Sequence, residues 1–149
     1  MLVEFRFSNF RSFKDEARLT ALSKRASSRC FQGRVLPVLA VYGANASGKS
    51  NLFRALGWMR QFVLNCGKNN STDLIDADPF LYAGRCQDEP MNFEVKVLIG
   101  GRLYRFGFSV TRKQVVDEWL YASSGFGVAE RRVYQRTAEG ILGGTALKR

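Results

Sequence analysis

Histidine is absent from this sequence. That removes the commonest general base, so any proton-transfer chemistry would fall to a carboxylate. Cysteine occurs three times, at Cys30, Cys66 and Cys86, widely spaced and with no CxxC pair. Without histidine, that pattern argues against a zinc site, and the odd number argues against a disulfide framework, so three reduced, buried thiols are expected. No apolar run reaches the length that crosses a bilayer, and Glu4 and Arg6 interrupt the N-terminus where a signal peptide would be apolar. The expected compartment is the cytoplasm. Internal repeats and low-complexity tracts are also missing, and no helix-turn-helix or zinc finger is visible. What remains is the composition of a soluble globular domain, 46% hydrophobic and 24% charged, with a net charge of +10.

The chain carries one sharp motif. Gly43-Ala44-Asn45-Ala46-Ser47-Gly48-Lys49-Ser50 satisfies every fixed position of the phosphate-binding pattern GxxxxGK[ST]. Gly43 and Gly48 let the backbone turn so that successive N–H groups aim at phosphate oxygens, and the helix that follows adds its positive dipole end. Lys49 is expected to reach the β and γ phosphates, and Ser50 to offer its hydroxyl to Mg²⁺. Upstream, Val38 to Tyr42 is a short continuous apolar run, which predicts a central parallel strand buried on both faces. Downstream, Leu52, Ala55, Leu56, Met59, Phe62 and Val63 recur at helical spacing, with Asn51, Arg54 and Gln61 on the other side.

Elsewhere the dominant period is two. Val3, Phe5 and Phe7 alternate with Glu4, Arg6 and Ser8; the turn Asn9 to Phe13 (NFRSF) follows, and then Ala17, Leu19 and Ala21 alternate again, predicting an antiparallel pair. Residues 23–34 read as a polar loop in which Lys24, Arg25, Arg29 and Arg34 cluster, either a solvated loop or a DNA footprint. Asn65 to Thr72 reads as an exposed connection, and Asp73 to Pro90 has no clean period. Phe93, Val95, Val97 and Ile99, then Gly100-Gly101, then Tyr104, Phe106, Phe108 and Val110 spell a hairpin with a type I′ turn. Val115 to Tyr121 extends that sheet, and a weak hairpin surrounds Glu139-Gly140. The expected fold class is α/β: one domain over 1–149, with a nucleotide-binding core at 1–64 and an antiparallel β segment at 91–121.

With Asn45 at the third loop position and the N-terminal strand running into NFRSF, the chain resembles the heads of ABC-type ATPases of the SMC and RecF kind. The nearest likeness is to bacterial AAA-family ATP-binding proteins of the overcoming-lysogenization-defect and abortive-infection group. The stretches FEVKVLIGGRLYRFGFSV and VVDEWLYA are similar to the β segment after the first helix in those proteins. The resemblance implies ATP and Mg²⁺ as ligands, with Gly43 to Asn51 around the nucleotide and Asn9, Arg11 and Ser12 touching base, ribose or phosphates. It also implies a homodimer, or a complementing ATPase chain, clamping two nucleotides between heads, no membrane, and a role in phage defence. Hydrolysis in such heads requires an LSGGQ-type signature, a Walker B strand ending in Asp-Glu and a switch histidine, all expected in a C-terminal half; this chain looks like the N-terminal half of a head.

Two short sequences imitate the missing parts. Asp117-Glu118 follows Val115-Val116 as a Walker B would, but Arg112, Lys113 and Gln114 precede it where a buried strand should be apolar. Leu142-Gly143-Gly144-Thr145 imitates the signature without its serine. Gln61, Gln87 and Gln114 each lack the context of a γ-phosphate-sensing glutamine. The alternative to an ATP-binding module is a truncated basic protein that binds nucleic acid or a partner and keeps a vestigial P-loop. A GTPase or small-molecule kinase is disfavoured because no NKxD motif or lid-like arginine cluster is present.

Overall fold

A computed structural model describes residues 1–25, 27–66, 74–82 and 84–144. Alternation of apolar and polar residues builds most of it. The strands are β1 (Leu2–Ser8), β2 (Ala17–Thr20), β3 (Met91–Ile99), β4 (Arg102–Val110), β5 (Val115–Ser123), β6 (Arg131–Thr137) and β7 (Gly140–Gly143). They form one antiparallel sheet in the order β2-β1-β3-β4-β5-β6-β7. The β3–β4 hairpin turns at Gly100 and Gly101, with φ of 55° and 79°, the two positive values that the Gly-Gly pair foretells. The Glu139-Gly140 hairpin forms between β6 and β7.

Helix α1 (Lys49–Asn65) lies across one face of this sheet. Its apolar stripe meets Phe5, Phe7, Phe93, Phe108 and Val110, with Ala55 and Met59 fully enclosed and Leu52, Leu56 and Phe62 packed beside them. Trp58 supplies the aromatic link. Its indole stacks on Phe93 at 4.8 Å and on Phe62 at 5.1 Å, and its Nε1 donates to the Asp76 carbonyl at 2.8 Å. Such ring pairs contribute roughly 0.5–1.5 kcal/mol each beyond the area they bury. Val63, expected on the buried stripe, is 40% exposed at its margin.

The opposite face is split. Near the start of β1, a smaller apolar cluster of Val3, Ala21, Val35, Leu98 and Leu103 lies under the 21–36 loop. The rest is ionic: Glu4 holds Arg6 and Arg18, while Arg105 bridges Glu94 and Glu130, which also holds Lys96. Burial pushes the Glu4 carboxyl up, but hydrogen bonds from Arg18 and Arg6 outweigh it and hold the group below the usual carboxylate range.

Three expectations need correction. Val38 to Tyr42 is not a strand, and the sheet has no parallel pair. Val38 is 78% and Tyr42 89% exposed, so the run is not buried on both faces. A parallel strand is stabilised by neighbours on its edges, and no described strand pairs with this one. Val3 does not share a face with Phe5 and Phe7, because a β-bulge between Leu2 and Glu4 turns it to the other cluster. Finally, Cys30 and Cys86 are buried as expected but Cys66, at the end of α1, is exposed; all three are free thiols. Most of the expected connection Asn65 to Thr72, and Asp73 after it, lie outside the described residues.

Candidate functional site

The site is assembled from two turns that the fold presses together. The first is Asn9 to Phe13, closed by reciprocal backbone hydrogen bonds between Phe10 and Phe13 of 2.8 and 2.9 Å. Its two phenylalanines anchor it: Phe10 is buried edge-on to Phe93, and Phe13 sits edge-on to Phe7 at 4.9 Å. Asn9 and Arg11 adopt φ of 53° and 51°, a region that asparagine tolerates and arginine rarely enters.

The second is the glycine-rich loop. Ala46 has φ of 61° and Gly48 of 90°, and Ser47 N–H closes a turn on the Ala44 carbonyl at 3.3 Å. A side chain at either glycine would crowd a neighbour. A Cβ on Gly43 would stand 2.8 Å from Ser47 Oγ, and one on Gly48 would stand 3.0 Å from Phe13 Cζ. The second contact joins the turns, and Asn51 Nδ2 adds a hydrogen bond to Ser12 Oγ at 2.9 Å.

Between them opens a cavity of about 400 Å³ lined by Ser12 and by Asn45, Ala46, Ser47, Gly48, Lys49, Ser50 and Asn51. Lys49 Nζ turns inward, donating to the carbonyls of Gly43 (2.7 Å) and Ala44 and lying 3.4 Å from Ser47 Oγ. No carboxylate is among these lining residues, so the local charge is positive. Gly48 caps α1 without any side-chain hydrogen bond, and no acidic residue stands in the first turn. The first amides of the helix therefore keep their donor capacity and their dipole for an anion. Ser50 is exposed on that turn, and its hydroxyl makes no hydrogen bond to another described residue.

Asn9 and Arg11 lie outside the cavity. Asn9 is buried, donating to the carbonyls of Cys86 (2.7 Å) and Glu89 (2.9 Å) and accepting from Phe80 N–H (3.2 Å), which ties the first turn to the 80–90 segment. Arg11 Nε lies 2.6 Å from the Asp78 carboxylate. Asp117-Glu118 belongs to antiparallel β5, where Glu118 accepts from Tyr134 and pairs with Arg136. Gly143 pairs with Tyr134 in β7, and Thr145 lies outside the described residues. Phe13, which shapes the loop by filling the space above Gly48, had no signal in the sequence, because its partner is 35 positions away.

The donor set suits a polyphosphate with a hard divalent cation. Lys49 and Ser50 line the cavity, supplying one ammonium and one hydroxyl oxygen, the first helical turn has amides to donate, and the volume falls within the usual range of about 300–1,000 Å³ for small-molecule sites. Among known families, the model described as "AAA domain, putative AbiEii toxin, Type IV TA system" matches residues 38–139. No curated protein matches the chain. Among the described residues, no helix is long and apolar enough to cross a membrane.

Proposed function

The chain belongs to this AAA-domain, abortive-infection-like family of P-loop proteins, and from that premise we propose that it binds Mg-ATP at the Gly43 to Asn51 loop. The carrying observation is the Lys49 ammonium, held at the centre of the loop by carbonyls beside a cavity free of lining carboxylates. A triphosphate would draw Lys49 Nζ from those carbonyls, engage the amides around Ala46 and the first turn of α1, and leave Ser50 to the cation. Magnesium supplies charge neutralisation there and keeps several waters of its own. Ser12, held by Asn51, would touch the ligand, while Arg11 and Asn9 would act through the position of the turn.

Hydrolysis needs a group that orients and deprotonates water. Histidine is absent and no carboxylate lines the cavity, so turnover would depend on a water-activating acidic group contributed from outside the described residues. The family's description, a putative AbiEii toxin of a type IV toxin–antitoxin system, supports a role in such a setting; the free thiols fit the cytoplasm. Titration calorimetry with Mg-ATP tests the reading. The wild type is expected to bind weakly, and Lys49→Ala to lose about 10- to 100-fold in affinity, the worth of one charge-assisted contact of about 1.5–3 kcal/mol. Equal heats from both proteins would discard it.

A further inference from the structure

Register fixes what lies at each end of the sheet. Ser8 pairs with Asn92 and Met91 with Val110 at the end that carries the glycine-rich loop. Ile99 pairs with Arg102, Leu103 with Ser123 and Ala122 with Arg131 at the other. A nine-residue β3 separates the two ends by about 30 Å.

At this far end three connections converge, 21–36, 99–103 and 123–132. They contribute Arg25, Arg29 and Arg34, then Arg102, then Arg131 and Arg132, and none of these forms an ion pair among the described residues. The single acid in the three segments is Glu130, already engaged by Lys96 and Arg105. Elsewhere on the sheet the pattern is different: Arg6, Arg18, Arg105 and Arg136 all have carboxylate partners.

The 21–36 segment is also held in shape. Val35 is fully buried and bridges Leu22, Ser23 N–H bonds to the Arg34 carbonyl at 2.8 Å, and Leu36 N–H to Ala21 at 2.8 Å. Its tip folds back through reciprocal bonds between Phe31 and Val35 of 2.7 and 3.0 Å, with Gln32 and Gly33 at φ of 47° and 70°. At this tip Phe31 is 53% exposed, two residues after Arg29 and three before Arg34 in the chain. A Cβ on Gly101 would be 3.5 Å from the Gln32 amide nitrogen, so the β3–β4 turn and Arg102 lie beside it.

We infer that this end of the sheet is a binding surface for single-stranded nucleic acid. Arginine forks suit phosphate oxygens, and an exposed ring among them offers a base a stacking platform. A duplex is a poorer match: the one α-helix among the described residues has its N-terminus at the opposite end, and no helix is presented here to enter a major groove. The surface is independent of the nucleotide cavity and would operate without ATP.

Fluorescence anisotropy of a labelled 20-nucleotide single strand, titrated with the full chain at several salt concentrations, tests this. Phe31→Ala should weaken binding about 5- to 100-fold, as loss of one stacked base does, while Phe31→Tyr retains it. Arg29→Ala with Arg34→Ala should lower the slope of log affinity against log salt by about 1.4, the release of counterions from two phosphates. All these side chains are exposed, so thermal melts should match the wild type. The inference falls if Phe31→Ala binds as tightly as wild type, if a duplex of equal length binds more tightly than the single strand, or if polyglutamate of equal charge binds as well.

Discussion

Replacing Gly48 by alanine probes the joint between the two turns that make the site. Two costs come directly from the geometry. A non-glycine residue in the left-handed region, where Gly48 sits at φ of 90°, costs about 1–2 kcal/mol. The new methyl would also stand 3.0 Å from Phe13 Cζ and 3.3 Å from Cε2. Phe13 has little room to retreat, being set edge-on against buried Phe7 at 4.9 Å, and overpacking of this kind costs about 1–3 kcal/mol. The combined loss is about 2–5 kcal/mol, a large share of the roughly 5–15 kcal/mol that holds a domain folded. For a chain of 149 residues that lowers the melting temperature by about 6–16 °C. Thermal and urea denaturation of Gly48→Ala, Phe13→Leu and the double variant would separate the terms. Phe13→Leu should recover about 1 kcal/mol of the Gly48→Ala loss, since residues in contact couple. If Gly48→Ala melts with the wild type, or the two substitutions are additive, the turns are not braced against each other and the cavity walls described here are wrong.

Trp58→Ala should be among the most damaging single substitutions. It removes stacking on Phe93 and Phe62 and a hydrogen bond to Asp76, and should cost about 3–5 kcal/mol by urea denaturation. Glu4 gives a pH signature. Its carboxyl is held below its ordinary value by Arg18 and Arg6 despite burial, so its contribution is complete above the unfolded pKa of about 4.3 and is lost as pH falls through the lower folded value. Melts from pH 7 to pH 3 should therefore decline less steeply for Glu4→Gln than for wild type, from a lower starting point at pH 7.

Local periodicity carried most of the secondary structure. Alternation in β3, in β4 and in β1 from Glu4 onward, the Gly100-Gly101 turn and the stripe on α1 are each properties of a short stretch, and each appears in the structure. Pairings distant in sequence were not legible. Nothing local announces that β1 lies beside β3 and merges the two antiparallel pieces into one sheet, or that Trp119 crosses above Gly107, where a Cβ would stand 2.4 Å from its ring. Val38 to Tyr42 shows the same limit in reverse. An apolar run states a capacity to be covered, and whether it becomes a strand depends on neighbours that no described residue provides. The glycine-rich loop and Ser12 line one cavity, a proximity that only the family resemblance suggested, whereas the hold of Asn9 on the 80–90 segment depends on carbonyls no motif encodes.

A crystal structure with Mg-ATP would test the central claim most directly, through the position of one atom. Lys49 Nζ should have left the carbonyls of Gly43 and Ala44 for a phosphate oxygen, with Ser50 Oγ turned to the metal. A nucleotide bound elsewhere, with that ammonium still on its carbonyls, would contradict the account.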